Sequence, residues 1–214
     1  MSASRPRVPP GQIRTERWPV LHAGSIPQEL TVENWDLSVH GEVERPSTLR
    51  FADLLRFPQK EVECDIHCVT SWTRLGMRWR GVPFSAVADA VVPDPAVRFV
   101  VMECEQGFTT SLPYEALRED DVLIAHTVEG MPLPAEHGGP VRMLVPQRYF
   151  YKSAKWLRGL KFVREDEPGF WEVRGYSNIA DPWAQTRYDV DDVKIIHHMR
   201  KDALFQPLPP KRGA

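Results

Sequence analysis

The sequence has little cysteine, no long apolar run and almost no excess of charge. Its three cysteines among 214 residues are too few, and odd in number, for a disulfide framework, which favours a reducing compartment. No stretch reaches the roughly 20 consecutive apolar residues of a membrane span. The net charge of -2 gives the chain as a whole no attraction for nucleic acid or membranes, so any anion site is expected to be local. The glycine motifs of dinucleotide sites and phosphate-binding loops are absent as well.

The distribution of polar and apolar residues predicts one domain with short appendages. Residues 1–18 are polar and contain several prolines, so they are expected to be a flexible, loosely held segment. Residues 19–200 are expected to form the domain, and residues 201–214 an extended tail. The first ten residues contain neither an apolar signal core nor two adjacent arginines, and we therefore predict a cytoplasmic protein.

Short strand patterns alternate irregularly with a few helical ones. Strands are predicted at 35–41, 98–104 and 122–128, where apolar residues alternate or run together. A helix is predicted over 83–92, because one proline lies in its first turn and another follows its end. A short amphipathic helix is predicted over 49–57. The pattern predicts an α+β fold with largely antiparallel or mixed sheets.

Residues 64–84 hold the densest set of reactive side chains. They include two cysteines, one histidine and three arginines, and no acidic residue occurs between positions 66 and 88. A thiol in positive surroundings is biased toward the thiolate, the form that attacks electrophiles and binds metals. The stretch is predicted to begin as a strand and to end in a turn marked by Gly81 and Pro83. Cys68 is the candidate reactive thiol, because this arginine-bearing turn follows it closely. Cys64 and Cys104 are predicted to pack as small buried hydrophobes.

Other cysteine chemistries have less support in the sequence. A zinc site could use Cys64, His67 and Cys68, but no second ligand pair follows at zinc-finger spacing. Residues four apart on a strand also lie about 13 Å apart. A catalytic cysteine needs a nearby base, and no histidine is singled out for that role. A thiol-dependent enzyme therefore remains an open alternative.

A basic and aromatic run extends over residues 142–164. It contains seven Lys or Arg and no Asp or Glu, and tyrosine, phenylalanine and tryptophan lie between the cations. Such a run could bind RNA or single-stranded DNA, which would make the protein a cofactor-free binding module. It could also hold the phosphate of a bound cofactor through charge-assisted hydrogen bonds. With a sequence pI near 6.4, the cofactor phosphate is the better interpretation.

Four blocks together resemble the molybdopterin-binding domain of the sulfite oxidase family. The resemblance is closest to small bacterial members, which include a methionine-sulfoxide reductase catalytic subunit. The blocks are Trp35–Gly41, Cys68-Val-Thr-Ser-Trp72 with Trp79-Arg-Gly-Val-Pro83, His137-Gly-Gly-Pro-Val-Arg142, and Val145-Pro146 through Tyr151-Lys-Ser-Ala-Lys-Trp-Leu157. They occur in the expected order, and the resemblance implies that family's fold, with mixed β-sheets and short peripheral helices.

The resemblance also implies roles for individual residues. Cys68 would be the thiolate ligand of molybdenum and hence a catalytic residue, because a soft anionic sulfur suits such a metal site. Arg74 and Arg78 follow Cys68 closely in the sequence, so they could guide a substrate oxygen toward the metal or be surface charges, and Arg74 is predicted as a second catalytic residue. The expected contacts of the molybdopterin cofactor are His22, Thr110, His137, Arg142, Tyr151, Lys152 and Lys155.

The implied function is a molybdenum-dependent oxidoreductase that transfers an oxygen atom on a small sulfur- or nitrogen-oxo compound. The expected partners are a small-molecule substrate and an unidentified electron donor or acceptor protein, with neither nucleic acid nor a membrane. The family's haem-binding domain and its C-terminal immunoglobulin-like domain have no counterpart here. Thr70 also stands where the methionine-sulfoxide reductase subunit carries an acidic residue. The substrate and the electron partner therefore do not follow from the resemblance.

Overall fold

The structure is a computed structural model that describes residues 6–189 and contains two β-sheets with short helices at their edges. The strands of this part are β1 Ile13–Arg14, β2 Asp36–Gly41, β3 Ser47–Arg50, β4 Lys60–His67, β5 Trp72–Pro83, β6 Phe99–Cys104, β7 Thr109–Pro113, β8 Leu123–Val128, β9 Met131–Pro132, β10 Arg142–Leu144 and β11 Leu157–Val163. The helices are α1 Phe51–Leu54, α2 Phe84–Val91 and α3 Tyr114–Leu117. The tail predicted at 201–214 lies outside the described residues, as does the end of the 19–200 domain. None of the described helices has the length and apolar character to cross a membrane.

Both sheets are mixed. The first has the strand order β1-β5-β8-β10, with β4 also paired to β5 and β9 to β8. The second has the order β3-β2-β11-β6-β7. The pairs β1/β5 and β2/β11 are parallel, and the other strand pairs are antiparallel. Two mixed sheets with few short helices confirm the predicted α+β class.

The main core lies where α2 packs against the sheets. Phe84, Val87, Ala88 and Val91 are buried at the spacing of one helix face, and they pack with apolar side chains of β2, β6 and β11. Val92 adopts a left-handed backbone conformation (φ 54°) that ends the helix. The helix predicted over 83–92 is thereby confirmed to within a residue at each end.

Two local predictions fail because strand pairing extends further than the sequence suggests. The helix predicted over 49–57 is reduced to α1, since β3 pairs with β2 as far as Arg50. The supposed arginine-bearing turn after Cys68 is the twelve-residue strand β5. Gly81 lies inside that strand, and a Cβ there would be 2.3 Å from the carbonyl oxygen of Ile124 on β8, so the close approach requires glycine.

The amino-terminal segment makes defined contacts from residue 6 onward, and the flexibility expected for residues 1–18 stays a prediction. Ile13 and Arg14 pair with Trp72 and Thr73. Arg7 donates two hydrogen bonds to the carboxylate of Asp65. Strand β1 was not predicted because it has only two residues and both are exposed, so it lacks the alternating apolar pattern of a half-buried strand.

Candidate active site

The turn that carries Cys68 joins β4 to β5. The Cys68 amide donates to the Trp72 carbonyl oxygen over 2.8 Å, and the Ser71 amide donates to the Cys68 carbonyl oxygen over 3.0 Å. Ser71 has a positive φ of 75°, which lets the chain reverse within four residues. The turn places the Cys68 side chain, which is 8% exposed, at the wall of a cavity.

The cavity is lined mainly by apolar and aromatic side chains. Its wall is formed by residues between Trp18 and Ala23, between Cys68 and Trp72, and between Phe150 and Trp156, together with Phe108, Arg142, Trp171 and Tyr176. Five of the predicted site residues therefore meet at one place, namely Cys68, His22, Arg142, Tyr151 and Lys155. Apolar clefts with a few convergent polar groups are the usual form of a small-molecule site.

Two cations at this cavity have no carboxylate partner among residues 6–189. Arg142 is 1% exposed, and its guanidinium donates to the carbonyl oxygens of His137, Met143 and Ser153. Lys155 donates to the carbonyl oxygen of Glu136 over 2.7 Å. Burial lowers the pKa of Arg142 to about 9, and burial together with the charge of Arg142 lowers the pKa of Lys155 to about 7. Positive charge that is buried and unneutralised favours an anionic ligand.

The charges near Cys68 differ from those predicted. Burial raises the pKa of its thiol, while the Thr70 hydroxyl, 3.1 Å from Sγ, and the charges of Arg187 and Lys155 act in the opposite direction. The expectation that arginines of the following segment favour the thiolate is wrong. Arg78 is paired with Glu129, whereas Arg74 lies 5.8 Å from the ring centre of Trp18 and does not line the cavity.

Lys152 and Thr110 lie behind the cavity wall instead of lining it. The Lys152 ammonium is fully buried and donates to the Ser111 carbonyl oxygen and to side-chain oxygens of Glu172 and Asn178. Thr110 donates its hydroxyl to the same oxygen of Glu172 over 2.5 Å. These two predicted cofactor contacts therefore belong to a buried ion pair that also fixes the chain beside Trp171 and Tyr176.

The other cations of the basic run are mostly paired with acidic side chains from elsewhere in the chain. Arg158 contacts Asp36 and Glu105, Lys161 contacts Glu167, and Arg164 contacts Glu42 and Asp94. The run therefore does not form a free cationic face. This pairing removes the physical basis of the nucleic-acid interpretation and of a phosphate site made by the whole run.

Two predicted cofactor contacts are histidines, of which His137 packs against the amino-terminal segment and His22 follows that segment in the sequence. The His137 ring stacks on Trp18 with ring centres 3.6 Å apart and planes 4° apart. Its Nδ1 atom is buried without a hydrogen-bond partner in the described structure. His22 lines the cavity, with Nδ1 3.1 Å from the Gly24 carbonyl oxygen and its ring 5.7 Å from that of Trp156.

Tyr151 and several residues that sequence reasoning missed complete the wall. The Tyr151 hydroxyl donates to the carbonyl oxygen of Ser177 and so ties the wall to the segment beyond Tyr176. Trp18 and Phe108 were not predicted as site residues, because isolated aromatic residues are as common in ordinary cores. Glu172 was missed because the acidic partner of a buried lysine has no local sequence pattern.

The protein-family model described as the oxidoreductase molybdopterin binding domain matches residues 23–171 of this chain. The chain belongs to this family. Within this molybdopterin-binding family, the uncharacterized oxidoreductase YuiH of Bacillus subtilis (strain 168) is 43% identical over 185 residues, which are 86% of this chain and 93% of that protein. The resemblance seen in the sequence is thereby confirmed.

Two further relatives of the molybdopterin-binding family are longer than this chain. The protein-methionine-sulfoxide reductase catalytic subunit MsrP of Campylobacter jejuni is 29% identical over 173 residues, covering 70% of this chain and 56% of MsrP. The crystal structure of the sulfane dehydrogenase SoxCD from Paracoccus pantotrophus matches with a TM-score of 0.59 at 28% identity. That match covers 64% of this chain and 40% of the SoxCD chain.

The cavity residues fit a molybdopterin. The thiol of Cys68 is a soft ligand, and Arg142 and Lys155 provide positive charge for the cofactor's phosphate. The indole Nε1 of Trp72, on the same wall, is buried without a hydrogen-bond partner among residues 6–189. No group of three His, Cys, Asp or Glu side chains in this part of the chain could hold a metal ion. Besides Cys68, the ligands of a metal here would therefore come from the cofactor.

The neutral, buried state of His137 predicts a pH dependence of stability in the cofactor-free protein. Burial and the charges of Lys155 and Arg142 lower the pKa of His137 to about 4, against about 6.5 in an unfolded chain. Between these values the unfolded chain binds more protons, so the free energy of unfolding falls as the pH drops from 6.5 toward 4. The loss amounts to at most about 3 kcal/mol at 1.36 kcal/mol per pKa unit.

The measurement is urea unfolding of the wild type and of His137→Phe between pH 4 and 7. Phenylalanine keeps a ring against Trp18 but cannot be protonated. The variant should therefore show a shallower dependence. Other groups contribute to what remains, among them His22 and His126, whose pKa values burial lowers, and Glu129, whose pKa is lowered by hydrogen bonds from Arg78. Identical slopes for the two proteins would contradict a neutral His137.

Proposed function

We propose that this protein is a molybdenum-dependent oxidoreductase that transfers an oxygen atom on a small sulfur- or nitrogen-oxo compound. The observation that carries the proposal is the meeting of one thiol and two unneutralised cations, Cys68 with Arg142 and Lys155, at a single apolar cavity. Membership of the molybdopterin-binding family supports it. We further propose that the protein works in the cytoplasm with an electron donor or acceptor protein, independently of nucleic acid and membranes.

The residues of the cavity have distinct roles in this proposal. Cys68 supplies the protein ligand of the metal, and Lys155 and Arg142 bind the anionic part of the cofactor. His22 and Tyr151 contact its organic part. The bound cofactor would supply two-electron oxidation and reduction, which side chains cannot perform. Aromatic side chains exclude water around the reacting atoms and so strengthen each electrostatic contact there.

The apolar lining favours uncharged substrates. Trp72, Phe108, Trp171 and Tyr176 offer ring surfaces, and the two cations of the site are assigned to the cofactor. A neutral sulfoxide or N-oxide with a short apolar group fits such a wall better than a small, strongly hydrated anion. The balanced reaction is the reduction of a sulfoxide by two electrons and two protons to a sulfide and water.

The test combines elemental analysis with a dye-linked assay. Protein purified from a molybdenum-replete host should contain about one molybdenum per chain and should oxidise a reduced viologen dye when dimethyl sulfoxide or trimethylamine N-oxide is added. Protein without molybdenum would overturn the proposal, and so would loaded protein that reduces no oxo compound.

Lys155→Met should lower the molybdenum content of the purified protein by about tenfold or more, the scale of affinity loss when a group supporting a metal site is removed. Methionine is unbranched and only one heavy atom shorter than lysine, but it removes the charge from the cavity. Lys161→Met is the matched control, because Lys161 belongs to the same basic run and is paired with Glu167 outside the cavity. Equal molybdenum contents in the two variants would contradict the role of Lys155.

A further inference from the structure

The turn that carries Cys68 is held by two segments outside the region matched by the family model. From the amino-terminal side, Gln12 Nε2 donates to the Cys68 carbonyl oxygen over 3.1 Å, and the Ile13 amide donates to the Ser71 carbonyl oxygen over 2.9 Å. From the carboxyl-terminal side, Arg187 Nη1 donates to the carbonyl oxygen of Val69. Three carbonyl groups of a tight turn thus depend on residues remote in sequence.

These two segments also contact each other. The Trp183 indole Nε1 donates to the Pro6 carbonyl oxygen over 2.8 Å. The same indole makes a T-shaped contact with the ring of His67, directly before the Cys68 turn, with ring centres 4.8 Å apart. We call residues 6–14 and 183–187 the clasp.

Arg187 is the cation of the clasp that has no carboxylate partner among residues 6–189, since Arg7 pairs with Asp65 and Arg14 with Glu16. Its guanidinium carbon lies 4.8 Å from the ring centre of Tyr149, which packs in one cluster with Cys68 and Val69. Arg187 forms no ion pair within residues 6–189, so a carboxylate of this part does not cancel its charge. A cation over an aromatic ring is attracted to the face of that ring. The ring therefore holds the charge beside the Cys68 turn.

We propose that Arg187 is a positioning residue for the Cys68 ligand. By binding the Val69 carbonyl oxygen it fixes the peptide next to Cys68, and its charge stabilises negative charge on the sulfur. Gln12 fixes the Cys68 carbonyl oxygen from the other side. The inference rests on the proposed function, in which Cys68 binds the metal.

Two physical consequences follow from this arrangement. Without the Arg187 bond the Val69 carbonyl loses its partner, so the turn opens more often and its amides exchange hydrogen faster. Without the charge of Arg187, added electrons on the metal and its sulfur ligand are less stabilised, because a positive charge beside the Cys68 turn has been removed. The midpoint potential of the bound metal then becomes more negative.

The experiment uses Arg187→Met, Arg187→Lys and Gln12→Ala in the full-length protein. The first readout is hydrogen exchange of peptides covering residues 68–73 in cofactor-free protein, with β6 peptides as an internal reference. The second is the midpoint potential of the metal in loaded protein. Arg118→Met is the matched control, since Arg118 also lies over a tyrosine ring, at 5.6 Å, but pairs with Asp89 far from the turn in sequence.

Arg187→Met should speed exchange in residues 68–73 by about tenfold or more, while β6 and the Arg118→Met protein stay unchanged. The potential should shift to more negative values in Arg187→Met and return most of the way in Arg187→Lys, which restores the charge. Gln12→Ala should speed exchange in the turn without moving the potential. If Arg187→Met does not fold, Arg187→Lys and Gln12→Ala provide the exchange test.

Unchanged exchange in residues 68–73 for all variants would overturn the inference. A potential that moves equally in Arg187→Met and Arg187→Lys would overturn the role of the charge. The exchange readout needs no metal, so it separates this inference from the proposed function. Absence of molybdenum from the purified protein would refute the proposed function. Unchanged hydrogen exchange in residues 68–73 would refute the positioning role of Arg187.

Discussion

Replacing Cys68 with serine should reduce oxygen-transfer activity by at least about 100-fold, beyond the usual effect of removing a group that only supports a metal ligand. Serine is close in size to cysteine and should leave the turn and the surrounding fold in place. Its hydroxyl is a harder and less acidic ligand than a thiol. The measurement is viologen-dye turnover per molybdenum, together with thermal unfolding to verify the fold.

Cys64 offers the control for this experiment. Cys64 is half-buried on β4 and packs in a different apolar cluster, and it does not line the cavity. Cys64→Ser should therefore keep its turnover. In the loaded wild type, Cys68 should resist iodoacetamide until the cofactor is removed. Wild-type turnover in Cys68→Ser would refute the assignment of the sulfur as the metal ligand.

Replacing Lys152 with methionine should destabilise the protein by about 3–5 kcal/mol, the usual cost of removing one partner of a buried ion pair. The side chains of Lys152 and Glu172 are 0% and 3% exposed. Without the ammonium group, the Glu172 carboxylate would be left buried with the Thr110 hydroxyl as its donor. The measurement is urea unfolding of cofactor-free protein at neutral pH.

The double variant Lys152→Met/Glu172→Gln tests the cause of this loss. It removes both charges and leaves an amide that Thr110 can still contact, so it should recover most of the stability lost in Lys152→Met. A double variant as unstable as the single one would show that packing, and not charge, explains the effect. A single variant within 1 kcal/mol of wild type would contradict the buried pair altogether.

The elements and residues that could be predicted from the sequence are those defined by local patterns. Helix α2 has prolines at both ends and an apolar face, so its boundaries follow from nearby residues. The strand pattern at the start of the cysteine-bearing stretch corresponds to β4, which ends directly before Cys68. The four matching blocks located the cavity, and five of the predicted residues do line it.

The charge environment could not be predicted, because it depends on partners distant in sequence. Arg78 lies on β5 and contacts Glu129 just beyond β8, and Lys152 contacts Glu172, which lies on the far side of β11 in the sequence. An acid-free stretch of sequence is therefore not an acid-free place in the fold. Antiparallel pairing brings carboxylates from other segments to the same surface, and burial then dominates the pKa of Cys68.

The parallel pairing of Ile13–Arg14 with Trp72–Thr73 has a consequence for the order of events during protein synthesis. A ribosome releases β1 well before β5 and long before the residues around Lys155. The stretch from Trp18 to Ala23 therefore cannot pack against its partners, which include His137 and Trp156, until most of the chain has emerged. One side of the cavity is assembled late, by residues that are made early.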